Sequence, residues 1–164
     1  MHRRARYTRP VHWSDLLLIR LPLAIWVGAT VLAAAAAPRI FALVPSRDVA
    51  GDVFGAILGR LGTIEHVLSL LLVLGVFSAV GREGRIAGRS AVTAIGSFLA
   101  IATNVYTSMV LRPRMRYYRA QAGSFDEAAE DDPWRRRFGV LHRRASRVTM
   151  IGLVCAAAAL LACP

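Results

Sequence analysis

Residues 53–81, VFGAILGRLGTIEHVLSLLLVLGVFSAVG, form an apolar run interrupted by only three ionisable side chains, Arg60, Glu65 and His66. A bilayer hydrocarbon core about 30 Å thick is crossed by about 20 predominantly apolar residues of helix, so this stretch exceeds the requirement. Its apolar residues do not alternate with polar ones, as the strands of a membrane barrel would, and in lipid every backbone polar group must be paired within the segment. The stretch therefore predicts a transmembrane helix.

Three further runs share this character: Leu16 to Pro38, Ser90 to Leu111 and Ala145 to Cys163. Together they predict an all-α chain, an integral membrane protein folded as an antiparallel up-down four-helix transmembrane bundle. The expected spans are about 14–38, 53–81, 89–112 and 137–163, within one domain covering residues 1–164. Trp13 is an expected interfacial anchor, and the first span is expected to end at Pro38, since proline disrupts a helix interior. Arg3, Arg4, Arg6 and Arg9 ahead of an apolar run resemble a signal peptide, but the run is too long for one, and the expectation is a retained first span. Gly81, Gly84 and Gly88 mark a tight second turn. Beyond Arg112-Pro113, Arg114 to Gly123 is expected to continue at the interface, and the acidic stretch Asp126 to Asp132 is expected to be exposed and mobile. Counts of arginine near the span ends leave the orientation open, because the total favours one sense and the first span alone the other.

The formal charge of +11 arises from 21 basic residues, all arginine, against 10 acidic ones. Such a balance in a soluble chain suggests a nucleic-acid partner, but here the arginines cluster at span ends and no nucleic-acid motif accompanies them. The expected partners are the lipid bilayer and its anionic headgroups, with no nucleic acid, and a homo-oligomer or a membrane partner remains open. Cys155 and Cys163 lie eight residues apart in the last run, about 12 Å along a helix, which is too far for a disulfide or a shared metal. No GxGxxG, P-loop, HExxH or CxxC motif occurs.

Candidate site residues come from polar positions inside the spans, where an ionisable group is costly and marks a functional site by default. Gly51, Gly55, Gly59, Gly62, His66 and Ser69 keep near one direction on a helical wheel, which predicts that this face of span two turns inward. Ser97, Ile101, Asn104 and Ser108 form a corresponding stripe on span three. His66 and Asn104 stand at similar heights, about 21–22 Å from the second turn, and define an expected polar layer with Thr149 or Ser146 from span four. Glu65, adjacent to His66 and about 100° away from it, is expected to pair with an arginine such as Arg60 or Arg147. His142 would lie about 10 Å nearer the arginine-rich third loop. The candidate ligand-binding residues are thus His66, Asn104, His142, Ser146, Thr149 and Glu65.

Trp26-x-Gly28, Pro38 with Phe41, Ala50-Gly51, Asn104 with Pro113-Arg114, and Phe138-Gly139-x-Leu141-His142-x-x-x-Ser146 resemble the transmembrane protein 205-like family. These are small four-helix membrane proteins whose bacterial members constitute a domain of unknown function. Most of the chain is covered, and the Phe-Gly-x-Leu-His segment is its most specific part. Arg143 and Met150 depart from the family pattern, in which a small residue often follows the histidine and an asparagine lies one turn beyond the serine. The resemblance implies a fold and a membrane location, with bacterial inner membrane the expected compartment, and no reaction.

The functional expectation is a non-enzymatic multi-pass membrane protein that binds or passes a small ligand, or supports a membrane partner, through the His66 and Asn104 layer. No catalytic residue or cofactor is predicted. The alternative is a metal or haem protein using His66 or His142, against which the offset in height argues, because imidazole nitrogens must lie about 2 Å from a metal. A hydrolase using His142 and Ser146 lacks an orienting acid and oxyanion donors.

Overall fold

The computed structural model describes residues 12–84, 88–127 and 129–163, which form helices and connecting turns with no strand among them. Four helices are long and apolar enough to cross a membrane: α1 (Trp13–Leu43), α2 (Arg47–Glu83), α3 (Arg89–Ala122) and α4 (Pro133–Ala162). Local chemistry sets their ends. Ser46 caps α2 by accepting from Val49 N at 3.1 Å, and Asp132 caps α4 by accepting from Arg135 N at 2.7 Å, with Pro133 at the first helical position. Gly84, at φ 65°, closes α2 in the left-handed conformation that glycine adopts most readily.

The helices outrun the expected spans. α1 continues through Pro38 to Leu43: the proline removes one helical hydrogen bond, but the helix carries on beyond it and Val44 N still bonds Ile40 O at 3.0 Å. Two π-turns interrupt the α-helical geometry, Leu16–Arg20 and Thr107–Leu111, and each lies just ahead of a proline, Pro22 and Pro113. Widened turns of this kind accommodate a ring that would otherwise meet the carbonyl four residues back.

α3 and α4 share the largest contact, followed by α1 with α2. Leu23 and Trp26 of α1, Leu68 and Leu72 of α2, Ala100 of α3, and Ala156 and Ala159 of α4 make the apolar core. Close backbone approach depends on glycine at the crossings. A Cβ on Gly75 would stand 2.7 Å from Leu18 O, and one on Gly96 2.7 Å from Cys155 O. Such small-residue contacts let the helix backbones approach closely and pack by van der Waals contact.

Polar contacts join the helix ends. Arg82 of α2 pairs with Asp15 of α1, and Arg89 at the start of α3 donates to Ala162 O and Leu161 O of α4, both at 3.2 Å. At the opposite end of α2 two carboxylates clamp reciprocally. Asp48 accepts from Ser124 Oγ at 2.7 Å and Phe125 N at 2.9 Å, while Asp126 accepts from Ser46 Oγ at 2.5 Å and Arg47 N at 2.8 Å. An anion at a helix N-terminus is favoured by the unpaired amides there. The beginning of the acidic stretch is exposed, as expected, and Asp126 is tied to the start of α2 by these hydrogen bonds.

Candidate functional site: a buried carboxylate on α2

The inner face of α2 carries Gly62, Glu65, Leu68, Ser69, Leu72 and Gly75, all buried and all within about 80° of Glu65 on a 100°-per-residue wheel. Gly59 and His66 fall about 120° and 100° from that centre and lie at the surface. The expected inward glycine stripe is thus corrected at its middle: nothing stands within 4 Å of where a Cβ would be at Gly55 or Gly59. Leu68 and Leu72, packed with Trp26, set the face of the helix, and Glu65 shares that face.

Glu65 is 6% exposed. Its charged neighbours are Arg112 of α3 and His66, and the Thr30 hydroxyl of α1 stands by its carboxyl group. Arg60 and Arg147, the expected partners, are both exposed, and Arg112 is the arginine whose charge acts on Glu65, although the two do not form a salt bridge. The Arg112 guanidinium rests against the bare backbone of Gly62, where a Cβ would collide with it. Farther along the same helix Arg119 occupies the equivalent position over Gly51. These two glycines serve as seats for arginines from α3.

Several buried polar groups on α1 and α3 have no hydrogen-bonding partner among the described residues. They are Thr30 Oγ1 of α1 and Ser97 Oγ, Asn104 Nδ2 and Thr107 Oγ1 of α3. Asn104 is 7% exposed, so its predicted place in the interior stands. A buried donor left unmade costs about 1–3 kcal/mol, and a set of four, all on two helices, is a polar interior with unspent hydrogen-bonding capacity.

His66 does not join Asn104 in that interior. Its ring is exposed, with Nδ1 against Gly62 O and Nε2 3.3 Å from Ser108 Oγ. Ser108 Oγ also donates to Val105 O at 3.1 Å, so its one proton is shared between that carbonyl and the ring. The other candidates lie on the outside of α4. His142 stacks on Phe138, with ring centroids 6.0 Å apart, Ser146 Oγ donates to His142 O at 3.0 Å, and Thr149 is exposed. The inner face of α4 is instead Ala145, Gly152, Ala156 and Ala159, because small residues let it approach α3. The expected layer of His66, Asn104 and Thr149 or Ser146 does not form, since of these only Asn104 is buried. Thr30, Thr107 and Arg112 escaped the sequence reading. Arg112 was read as the end of a span, and its inward direction depends on the π-turn before it.

Among the described residues no group of three or more His, Cys, Asp or Glu side chains could share a metal ion, and Cys155 and Cys163 are free thiols. No protein-family model, curated protein or solved structure matches this chain.

Proposed function

We propose that the chain is an integral protein of a bacterial inner membrane, an antiparallel up-down four-helix bundle with the architecture of the transmembrane protein 205-like family. Its role is to bind or pass a small polar ligand through the interior around Glu65, without catalysing a reaction on it. The membrane reading is supported by the outer surfaces: only 22–33% of the most apolar window of each long helix is buried, and residues such as Ile64, Leu70, Phe77, Phe98 and Met109 face outward. Water would not tolerate that surface on a monomer, whereas lipid requires it.

The observation that carries the ligand reading is Glu65. A carboxyl group buried at mid-helix, with a guanidinium near it and the unpartnered Asn104 amide and Thr30 and Thr107 hydroxyls on the adjoining helices, favours a molecule that brings its own donors and acceptors. Asn104 remains in the proposed site, and His66 acts at its outer edge through Ser108. Native mass spectrometry of protein released from lipid nanodiscs tests the reading. A non-lipid mass retained by the wild type, weakened in Glu65→Gln and absent in Glu65→Leu and Asn104→Leu, is expected. Identical spectra for all four proteins would overturn it.

A further inference from the structure

A second polar locus lies away from Glu65, where the start of α2 meets the last turns of α3. It is an open cleft of about 330 Å³ lined by Asp48, Asp52, Arg116 and Arg119. Two guanidinium groups face two carboxylates, so the cleft is neutral in a chain whose formal charge is +11. Its four charges are not equally committed. Arg119 pairs with Asp52 at 2.7 Å and donates to Asp48 O at 2.8 Å, and the Asp48 carboxylate is occupied by Ser124 and Phe125. The Asp52 side chain is 76% exposed, and Arg119 takes one of its oxygens. Arg116, exposed and one turn before Arg119, forms no hydrogen bond or ion pair with another described residue.

We propose that this cleft binds the headgroup of a zwitterionic phospholipid bearing a primary ammonium, with the phosphate on Arg116 and the ammonium on the open oxygen of Asp52. A simple anion would be repelled by Asp52 and a simple cation by Arg116, whereas a group carrying both charges matches both. Arginine offers a planar fork to phosphate, and a primary ammonium can donate hydrogen bonds that a quaternary one cannot. The surroundings fit the bilayer interface. Tyr117, Tyr118 and Trp134 cluster alongside, with centroids 5.6–6.3 Å apart, and the exposed Val49 and Val53 of α2 offer apolar surface for acyl chains.

This inference rests on the membrane reading, which alkaline carbonate extraction of membranes tests by itself. The site is tested by native mass spectrometry of detergent-solubilised protein titrated with phosphatidylethanolamine, phosphatidylcholine and phosphatidylglycerol of identical acyl chains, and with soluble phosphoethanolamine. Phosphatidylethanolamine is expected to bind about tenfold more tightly than the other two lipids, the scale of one charge-assisted hydrogen bond. Asp52→Asn should abolish that preference and leave phosphatidylglycerol binding unchanged or raise it, and Arg116→Gln should weaken binding of all three lipids, which share the phosphate. Tighter binding of every lipid by Asp52→Asn, with no preference in the wild type, would mean a merely basic surface and overturn the site. Tighter binding of soluble phosphoethanolamine than of the lipid would overturn the lipid source. Release of the protein by carbonate would remove the membrane reading, whereas retention with no lipid preference would remove only the site.

Discussion

Alanine replacement of the glycines separates the two faces of α2 and the helix crossings in one experiment. In a helix, glycine costs about 0.5–1 kcal/mol relative to alanine, so each Gly→Ala change begins with that gain. At Gly55 and Gly59 nothing lies within 4 Å of the new methyl group, and the gain should appear in full. At Gly75 the methyl would stand 2.7 Å from Leu18 O and 2.7 Å from Ile19 Cγ1, and at Gly96 2.7 Å from Cys155 O. Leu18 O and Cys155 O are backbone obstacles that require a helix to move, and overpacking of this kind costs about 1–3 kcal/mol. Because the propensity gain is common to all four variants, the two pairs should differ by about 1–3 kcal/mol. Reversible unfolding in mixed micelles of mild detergent and dodecyl sulfate, followed by circular dichroism, measures that difference. Gly55→Ala and Gly59→Ala as damaging as Gly96→Ala would place the glycine stripe inside the bundle and refute the assignment of the α2 face.

Two further outcomes follow from the polar contacts. The Asp126 carboxyl is held below its ordinary value of 3.8 by hydrogen bonds from Ser46 and the Arg47 amide, so its contribution to stability is complete above that value and disappears as pH falls through the lower folded pKa. The stability difference between wild type and Asp126→Asn should therefore be constant near neutrality and shrink only below about pH 4; a difference that shrinks between pH 7 and 5 would contradict this. Pro113→Ala should let the π-turn at Thr107–Leu111 relax and carry Arg112 away from Gly62, which makes Gly62→Ala less harmful in that background by about 0.5–3 kcal/mol. Strict additivity of the two changes in the same unfolding assay would argue that the π-turn does not position Arg112.

The four long helices were legible because the bilayer requirement is a matter of length and composition, and the chain meets it four times. Which way each helix faces was less so. A stripe of small residues on α2 was read as its inner face, yet the helix turns by the side chains with most to bury, Leu68 and Leu72, and these carry Glu65 inward in place of His66. On a wheel the two neighbours differ by about 100°, so a modest error in the axis exchanges one for the other. Asn104 was placed correctly because α3 has a clear small and polar face, from Thr93 through Ser97 and Ala100 to Thr107. On α4 the visible polar candidates, His142, Ser146 and Thr149, drew attention away from its alanine and glycine face, which is the one that packs.

The π-turn ahead of Pro113 explains why an arginine at a span end turns in over Gly62, on the face of α2 that carries a buried carboxylate. In uninterrupted α-helix Thr107 and Arg112, five residues apart, would point about 140° apart, and with Thr107 turned inward Arg112 would face lipid or water. Instead the Arg112 amide donates to Thr107 O, the i to i+5 bond of a π-turn, which stacks residue 112 close to the line of residue 107. Arg112 thereby inherits the inward direction of Thr107, finds room over Gly62 and faces Glu65. Arg119, seven residues farther on and hence on nearly the same side, is carried with it to Gly51 and Asp52. One proline-linked turn thus aims both arginines at α2: one at Gly62 beside the buried carboxylate, the other at Gly51 and Asp52.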